Sequence, residues 1–443
     1  MLIIRQYHSD HKSINIILKK LIKFIKSKLY KLIRFTKFVS IMKRAGIADL
    51  PLHYGHVPLW LAERMGKLGL AVTEEIISNN GKNDFLRRMS DPFWFQSLGA
   101  VMGMDWHSSG ITTSVLGALK RNVNIHAKEL GIYICGGKGK LSTNTPNEIV
   151  RFSETNGLNA SNLVKCSKLS AKVDNTAVQD GFQLYQHNFI VSNKGNWTVI
   201  QQGMSSKSAT ARRYHWHSST LKSFTEEPHT FIYGQNYGEI LNLTDKEAGP
   251  LKKSMLSLTS EPPEKMINEI KKLIMPNHHD VRAKDVNLKR LGATLWLAQE
   301  NNISNFEELL LLQGLGSRTL QSLALVSEVI YGNPSRFKDP ARFSFANGGK
   351  DGHPFPVPVN VYDETIKTLR SAIDRSKLGN SDKIEAIKSL SKIAAKAEDN
   401  FTPNENLDEL IKKERANSWK YGGRTVFGKE KAPTLTQLDL FND

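Results

Sequence analysis

Asp105 and His107 sit in the run Asp105-Trp106-His107-Ser108-Ser109-Gly110, which puts an acid, an imidazole and hydroxyls side by side. These residue types make a nucleophile and its base, although adjacency along the chain does not fix geometry. The structural alternative is that the Asp and Ser oxygens cap the helix that follows. A second run, Gly136-Gly137-Lys138-Gly139-Lys140, is free of bulky side chains, so its amides and two lysines suit a phosphate. It lacks the GxxxxGK[ST] spacing of a P-loop; its alternative is a flexible hairpin loop. In Arg212-Arg213-Tyr214-His215-Trp216-His217, strand alternation places Arg213, His215 and His217 on one face. Cations with imidazoles fit phosphodiester binding or acid–base work on it. The alternative is a surface strand packing Tyr214 and Trp216 inward. His53, His56 and His187 serve a metal or a proton only if the fold gathers them, and no HExxH or His–Cys spacing is present. The combined expectation is one phosphodiester-processing, nuclease-like site of Asp105, His107, Lys138, Arg213 and His215, flanked by Lys140 and Arg212 as DNA contacts. Hydrolysis there would call for a divalent cation such as Mg or Mn, for which no ligand set is legible.

The second half carries a different signal. Leu288 to Gln299 and Phe306 to Leu312 have helical apolar spacing, Gln313-Gly314-Leu315-Gly316-Ser317-Arg318-Thr319 interrupts, and Leu320 to Tyr331 resumes. This pattern resembles a helix–hairpin–helix. Its two glycines let the backbone approach a phosphate, and the second helix offers free N–H groups at its positive dipole end. Gly314, Leu315, Gly316, Ser317, Arg318 and Thr319 are therefore the expected DNA contacts, which position a duplex without reading its bases. An ordinary helical turn with a glycine C-cap is the alternative. The likeness extends partway to helix–hairpin–helix DNA glycosylases. Those place an acid after an apolar-Pro-Val run, whereas this chain has Phe355-Pro356-Val357-Pro358, and no lysine follows Gly316. The DNA contact carries over; base excision does not.

Beyond Asn400 the chain is polar, with Pro403, Gly422, Gly423 and Pro433, the composition of a flexible tether. It ends in Gln437-Leu438-Asp439-Leu440-Phe441, which resembles the peptide by which bacterial replication and repair proteins bind the sliding clamp. Leu438, Leu440 and Phe441 would enter an apolar pocket and Gln437 would hydrogen-bond at its edge. An apolar C-terminus docked on its own domain is the alternative.

These sites need elements to hold them. Trp60–Lys67, Pro92–Met104, Thr113–Arg121, Thr365–Ile373 and Lys383–Ala395 have helical character; Gly131–Cys135 reads as a buried strand. Gln183–Val191 and Trp197–Gln202 form a hairpin turned at Asn193–Asn196. The expected class is mixed α+β. An α/β catalytic or phosphate-binding domain spans 42–245, a helix–hairpin–helix domain 246–345, a helical segment 346–400 and a flexible tail 401–443.

The chain has 443 residues, 40% of them hydrophobic, and a net charge of +18. Residues 1–41 hold eight Lys and two Arg against Asp10, half of that excess. Their apolar positions follow helical spacing, so they read either as a basic amphipathic helix on an anionic membrane surface or as sequence ahead of a true start at Met42. Two cysteines, Cys135 and Cys166, make no CxxC pair, which fits a reducing, cytoplasmic setting. No apolar run is long enough to span a membrane. The Met42–Gly55 opening and the runs DWHSSG, GGKGK, VIQQGM and ARRYHW resemble a prokaryotic family known only as domain of unknown function seven-six-three, from Met42 to about residue 430. That resemblance implies no chemistry of its own. Three functional expectations follow: a nuclease-like enzyme recruited to the clamp, a non-catalytic DNA-binding adaptor on the clamp, and a membrane-surface protein acting through residues 1–41.

Overall fold

The computed structural model describes residues 50–51, 57–104, 109–205, 208–270, 287–341, 359–376 and 378–399, all within a unit spanning Ile47–Asp443. Residues 1–41, Asp105, His107, the 355–358 run, the tail from residue 401 and the clamp-type peptide 437–441 lie outside the described residues.

Strand β1 (Leu50–Pro51) precedes helices α1 (Leu59–Asn80), α2 (Lys82–Met89), α3 (Pro92–Val101) and α4 (Gly110–Val123). Strand β2 (Ile132–Lys138) leads to α5 (Thr145–Asn156) and α6 (Ala160–Lys172). Strands β3 (Val178–Gln179), β4 (Gln183–Ser192), β5 (Trp197–Ser205), β6 (Thr210–His217), β7 (Phe231–Tyr233) and β8 (Leu241–Asn242) follow. The rest is helical: α7 (Gly249–Ser260), α8 (Pro263–Ile270), α9 (Leu288–Glu300), α10 (Phe306–Leu311), α11 (Ser317–Tyr331), α12 (Val359–Arg375) and α13 (Asn380–Asp399).

Local chemistry sets several boundaries. Asp91 starts α3 by accepting hydrogen bonds from Phe93 N and Trp94 N, with Pro92 at the first helical position. Asn159 caps α6 through Asn162 N. Met65, Leu68, Val72 and Ile76 recur every three or four residues, so α1 runs far past the Lys67 expected from sequence, burying one stripe.

The main sheet has the order β1-β6-β5-β4-β2, with β7 also on β6, and every described pair is antiparallel. The class is thus mixed α and β with an antiparallel sheet, and the β4–β5 hairpin forms as the alternation predicts. Both faces are covered. Ile132, Ile134, Ile190 and Ile200 pack with α1–α4 and with Leu369, Ile373 and Leu390 of α12 and α13. Cys135, Phe189, Val199, Tyr214 and Trp216 pack with α5–α11. The helices read from sequence as a separate DNA-binding region therefore share a core with the sheet. Large side chains such as Trp94 and Trp216 are almost wholly buried, each contributing about 2–3 kcal/mol of hydrophobic stabilisation. No helix among the described residues is long and apolar enough to cross a membrane.

Candidate functional site

The register Gln202↔Arg213, Ile200↔His215 and Thr198↔His217 puts Arg213, His215 and His217 on one sheet face and Arg212, Tyr214 and Trp216 on the other. Because helices cover both faces, β6 is interior rather than a surface strand. Arg213 and His215 are fully buried. The guanidinium donates to Gln96 Oε1 (2.7 Å), Thr112 Oγ1 (3.3 Å) and His215 Nε2 (3.0 Å), and lies over the rings of Phe95 and Tyr233. Since His215 Nε2 accepts, the ring is neutral, and its Nδ1–H donates to Met89 O. Burial, and next the neighbouring Arg213 charge, hold the His215 pKa well below its usual value. Burial likewise lowers Arg213 to about 10, with no carboxylate among the described residues to offset it.

Arg212 has the opposite surroundings. It donates to Asp339 through both terminal nitrogens (2.7 and 3.0 Å) and to Asp180 (2.9 Å), all three side chains being inaccessible to solvent. Tyr214 Oη–H donates to Asp180 at 2.6 Å. Asp339 also accepts from Tyr237 N and Ala341 N, so this cluster ties the stretch after α11 to the sheet. Its role is structural: the pair is bidentate and leaves no donor facing solvent.

Lys138 and Lys140 are exposed. The glycine pair that precedes them is shaped by one close approach. Gly136 has φ +85°, and a Cβ there would lie 2.1 Å from His187 O. Gly136 N donates to Glu148, which pairs with Lys120 at 2.7 Å, and Lys120 also donates to Gly136 O. From Lys138 a polar line enters the fold. Its ammonium lies 6.0 Å from the Tyr185 ring; Tyr185 Oη meets Gln202 Nε2, Thr112 donates to Gln202, and Arg213 donates to Thr112. The structure thus places Lys138 and Arg213 at opposite ends of one network, not side by side at a surface. Asp105 and His107, expected to complete that site, lie outside the described residues.

On the other face is an arrangement that the sequence reading missed. Ser167 Oγ–H donates to His187 Nε2 (2.8 Å), and His187 Nδ1–H donates to Gln201 Oε1 (2.8 Å). Gln201 Nε2 donates to Asp174 (2.5 Å), which also accepts from Trp216 Nε1 and pairs with His229. The tautomer follows from Gln201: its Nε2 is spent on Asp174, so its oxygen must accept. Burial lowers the His187 pKa to about 4, against the raising effect of Gln201. The serine–imidazole contact has the form of a nucleophile and base, but Ser167 is 2% exposed and His187 6%, so no substrate reaches it. Asp174 belongs to a short π-helical turn, Val173–Ala177. The partners are 14 to 55 residues apart, and no local motif announces them.

The 313–318 stretch forms a surface turn from α10 into α11. Leu315 is 2% exposed and anchors the turn in the core, while Gly314, Gly316, Ser317 and Arg318 are exposed. Gly314 has φ +80° with open space around it, as backbone that must bend sharply at a surface requires. Lys172 Nζ donates to Leu315 O (2.8 Å) and Gln179 Nε2 to Ser317 O (2.9 Å), fixing the hairpin to α6 and β3. Gly316 is the N-cap of α11 and gives it no side-chain cap, so the first-turn amides face outward unpaired.

A larger surface cleft of about 270 Å³, lined by Asn83, Asp84, Arg87, Asn196, His217 and Ser219, contains none of the residues expected to be catalytic. Among the described residues no cluster of His, Cys, Asp or Glu is arranged to hold a metal ion. A family model described as "Protein of unknown function (DUF763)" matches residues 46–357. No curated protein and no solved structure matches the chain.

Proposed function

We propose, for a chain that belongs to the DUF763 family, that it is a DNA-binding protein that grips the sugar–phosphate backbone through the Leu312–Thr319 hairpin and is recruited to the sliding clamp by its terminal peptide. The observation that supports the DNA contact is the hairpin itself: an apolar anchor at Leu315 holds two exposed glycines at the uncapped start of a fifteen-residue helix. Backbone amides and a positive dipole end suit phosphate oxygens and are indifferent to base sequence. Gln437-Leu438-Asp439-Leu440-Phe441 supports the clamp contact by its sequence alone. The two weak contacts reinforce one another once tethered.

The reading is tested by fluorescence anisotropy of labelled duplex, nicked and single-stranded oligonucleotides at low salt. Binding with a steep loss of affinity as salt rises supports it; no binding in low salt removes it. For the clamp, Leu438→Ala with Phe441→Ala must abolish capture by purified clamp without changing DNA affinity. A phosphodiester-processing activity has one supporting feature, the exposed Lys138 and Lys140 on their glycine-rich turn. Arg213 and His215, assigned to that site from sequence, are interior, so the described geometry favours holding DNA over cutting it. Metal-dependent turnover of the same oligonucleotides, lost on Lys138→Ala, would restore the enzymatic reading.

A further inference from the structure

The first turns of α9 and α11 face each other across a niche of about 40 Å³. From α9 come Asn287, Arg290 and Leu291; from α11 come Arg318, Thr319 and Ser322. Residues from the N-terminal ends of two helices, where the dipoles are positive, therefore border one small volume. Neither first turn carries an acid, and each adds an arginine. Like potentials gathered this way repel, and an anion between them relieves that repulsion. The niche has room for at least one compact oxygen-rich group.

A separate feature also points to a ligand. Thr319 lines the niche and is 5% exposed, and its hydroxyl makes no hydrogen bond among the described residues. A helical threonine ordinarily bonds back to the carbonyl four residues earlier. Here that carbonyl, Leu315 O, is taken by Lys172 Nζ. The neighbouring hydroxyl of Ser322 is already spent on Arg318 O at 2.9 Å. Asn287 caps α9 by accepting from Arg290 N, whereas α11 has no side-chain cap. Thr319 Oγ–H and the first-turn amides of α11 are thus donors in reserve.

The geometry points to a seat for one phosphate group of a nucleic-acid strand, held by the Thr319 hydroxyl, the α11 amides and the guanidinium groups of Arg290 and Arg318. This rests on the proposed hairpin contact and adds to it a second point of grip, contributed by α9, which the hairpin motif does not include. Seating two phosphates of one strand fixes the direction of the duplex across the α9–α11 surface.

The test uses the full chain and labelled duplex over a salt series, comparing wild type with Thr319→Val and Arg290→Gln. Thr319→Val removes one hydrogen bond to a charged oxygen and lowers affinity about tenfold, leaving the salt slope unchanged because no charge is lost. Arg290→Gln lowers affinity and reduces the slope of log K against log salt by about one. Arg290 is exposed, so that variant keeps the fold even if the threonine variant does not. Wild-type binding with both variants unchanged in affinity and slope overturns the seat and leaves the hairpin contact standing. No wild-type binding overturns both. A ³¹P line-broadening titration with inorganic phosphate separates the sources. Broadening that both variants abolish, alongside unaltered DNA binding, overturns the strand assignment in favour of a free anion.

Discussion

His187→Gln removes a titration that the fold suppresses. In the native protein the imidazole is buried, with Ser167 Oγ–H donating to Nε2 and Nδ1–H donating to Gln201. Burial lowers its pKa from 6.5 to about 4. The unfolded chain takes up a proton near the ordinary value, so between these two the unfolded state binds more protons than the native one. Stability from the neutral ring is complete above 6.5 and is lost as pH falls toward 4. At about 1.4 kcal/mol per pH unit the loss amounts to about 3 kcal/mol. The assay is urea unfolding of wild type and variant at a series of pH values. Glutamine adds an offset from altered hydrogen bonding, which does not vary with pH. Asp174, whose carboxyl burial pushes up, and His215, held neutral, are present in both proteins and drop out of the difference. The wild-type advantage must shrink by about 3 kcal/mol from neutral pH down to 4. A difference that stays flat refutes the claim that His187 is buried in its neutral form.

Other outcomes follow from the same geometry. Asp339→Asn leaves Arg212 with Asp180 alone and costs about 3 kcal/mol, the lower end for a broken buried ion pair, read as a lowered urea midpoint at unchanged m-value. Gly136→Ala forces a Cβ to 2.1 Å from His187 O at φ +85° and costs about 4 kcal/mol or more. Gly139→Ala, at φ +58° and ψ −122° with nothing within 4 Å, costs about 1–3 kcal/mol from the backbone alone; equal melting temperatures for these two variants would contradict the contrast. Cys135 and Cys166 are buried, and burial pushes both thiols up, Cys166 to about 11. Both must resist a thiol-specific chromogenic reagent in the native protein and react in denaturant.

The parts legible from sequence were those written locally. The β4–β5 hairpin announces itself by alternating apolar residues around Asn193–Asn196, and the Gly314–Gly316 turn by two glycines between apolar helical runs. Alternation also sorted Arg213, His215 and His217 onto one face of β6. What alternation could not say is that helices cover both faces. That depends on Phe95 and Gln96 of α3 and Thr112 of α4, about a hundred residues away, meeting Arg213. Two adjacent arginines therefore looked like a basic surface. One is instead clamped by Asp180 and Asp339, the latter 127 residues distant, and the other is sheathed in aromatic rings and neutral acceptors. The Ser167–His187–Gln201–Asp174 line was hidden for the same reason, since each member is an unremarked polar residue inside its own element. Helix ends also erred: α1 continues thirteen residues past the expected Lys67 and stops at Gly81, whose φ is +86° and whose N–H donates to Ile77 O.

The central claim is that Gly316 lies against a nucleic-acid backbone. Gly316→Val tests it most directly. Gly316 has φ −115° and ψ 173°, extended backbone open to any residue, and a Cβ there meets nothing within 4 Å. The substitution should cost no more than about 1 kcal/mol, the scale of a poorer N-cap, while its side chain occupies the space a phosphate would take. Anisotropy of labelled duplex at low salt, wild type against Gly316→Val, is expected to fall in affinity by about tenfold or more, on the scale of one lost charge-assisted contact. Equal affinities for the two proteins, both folded at the assay temperature, would contradict the account.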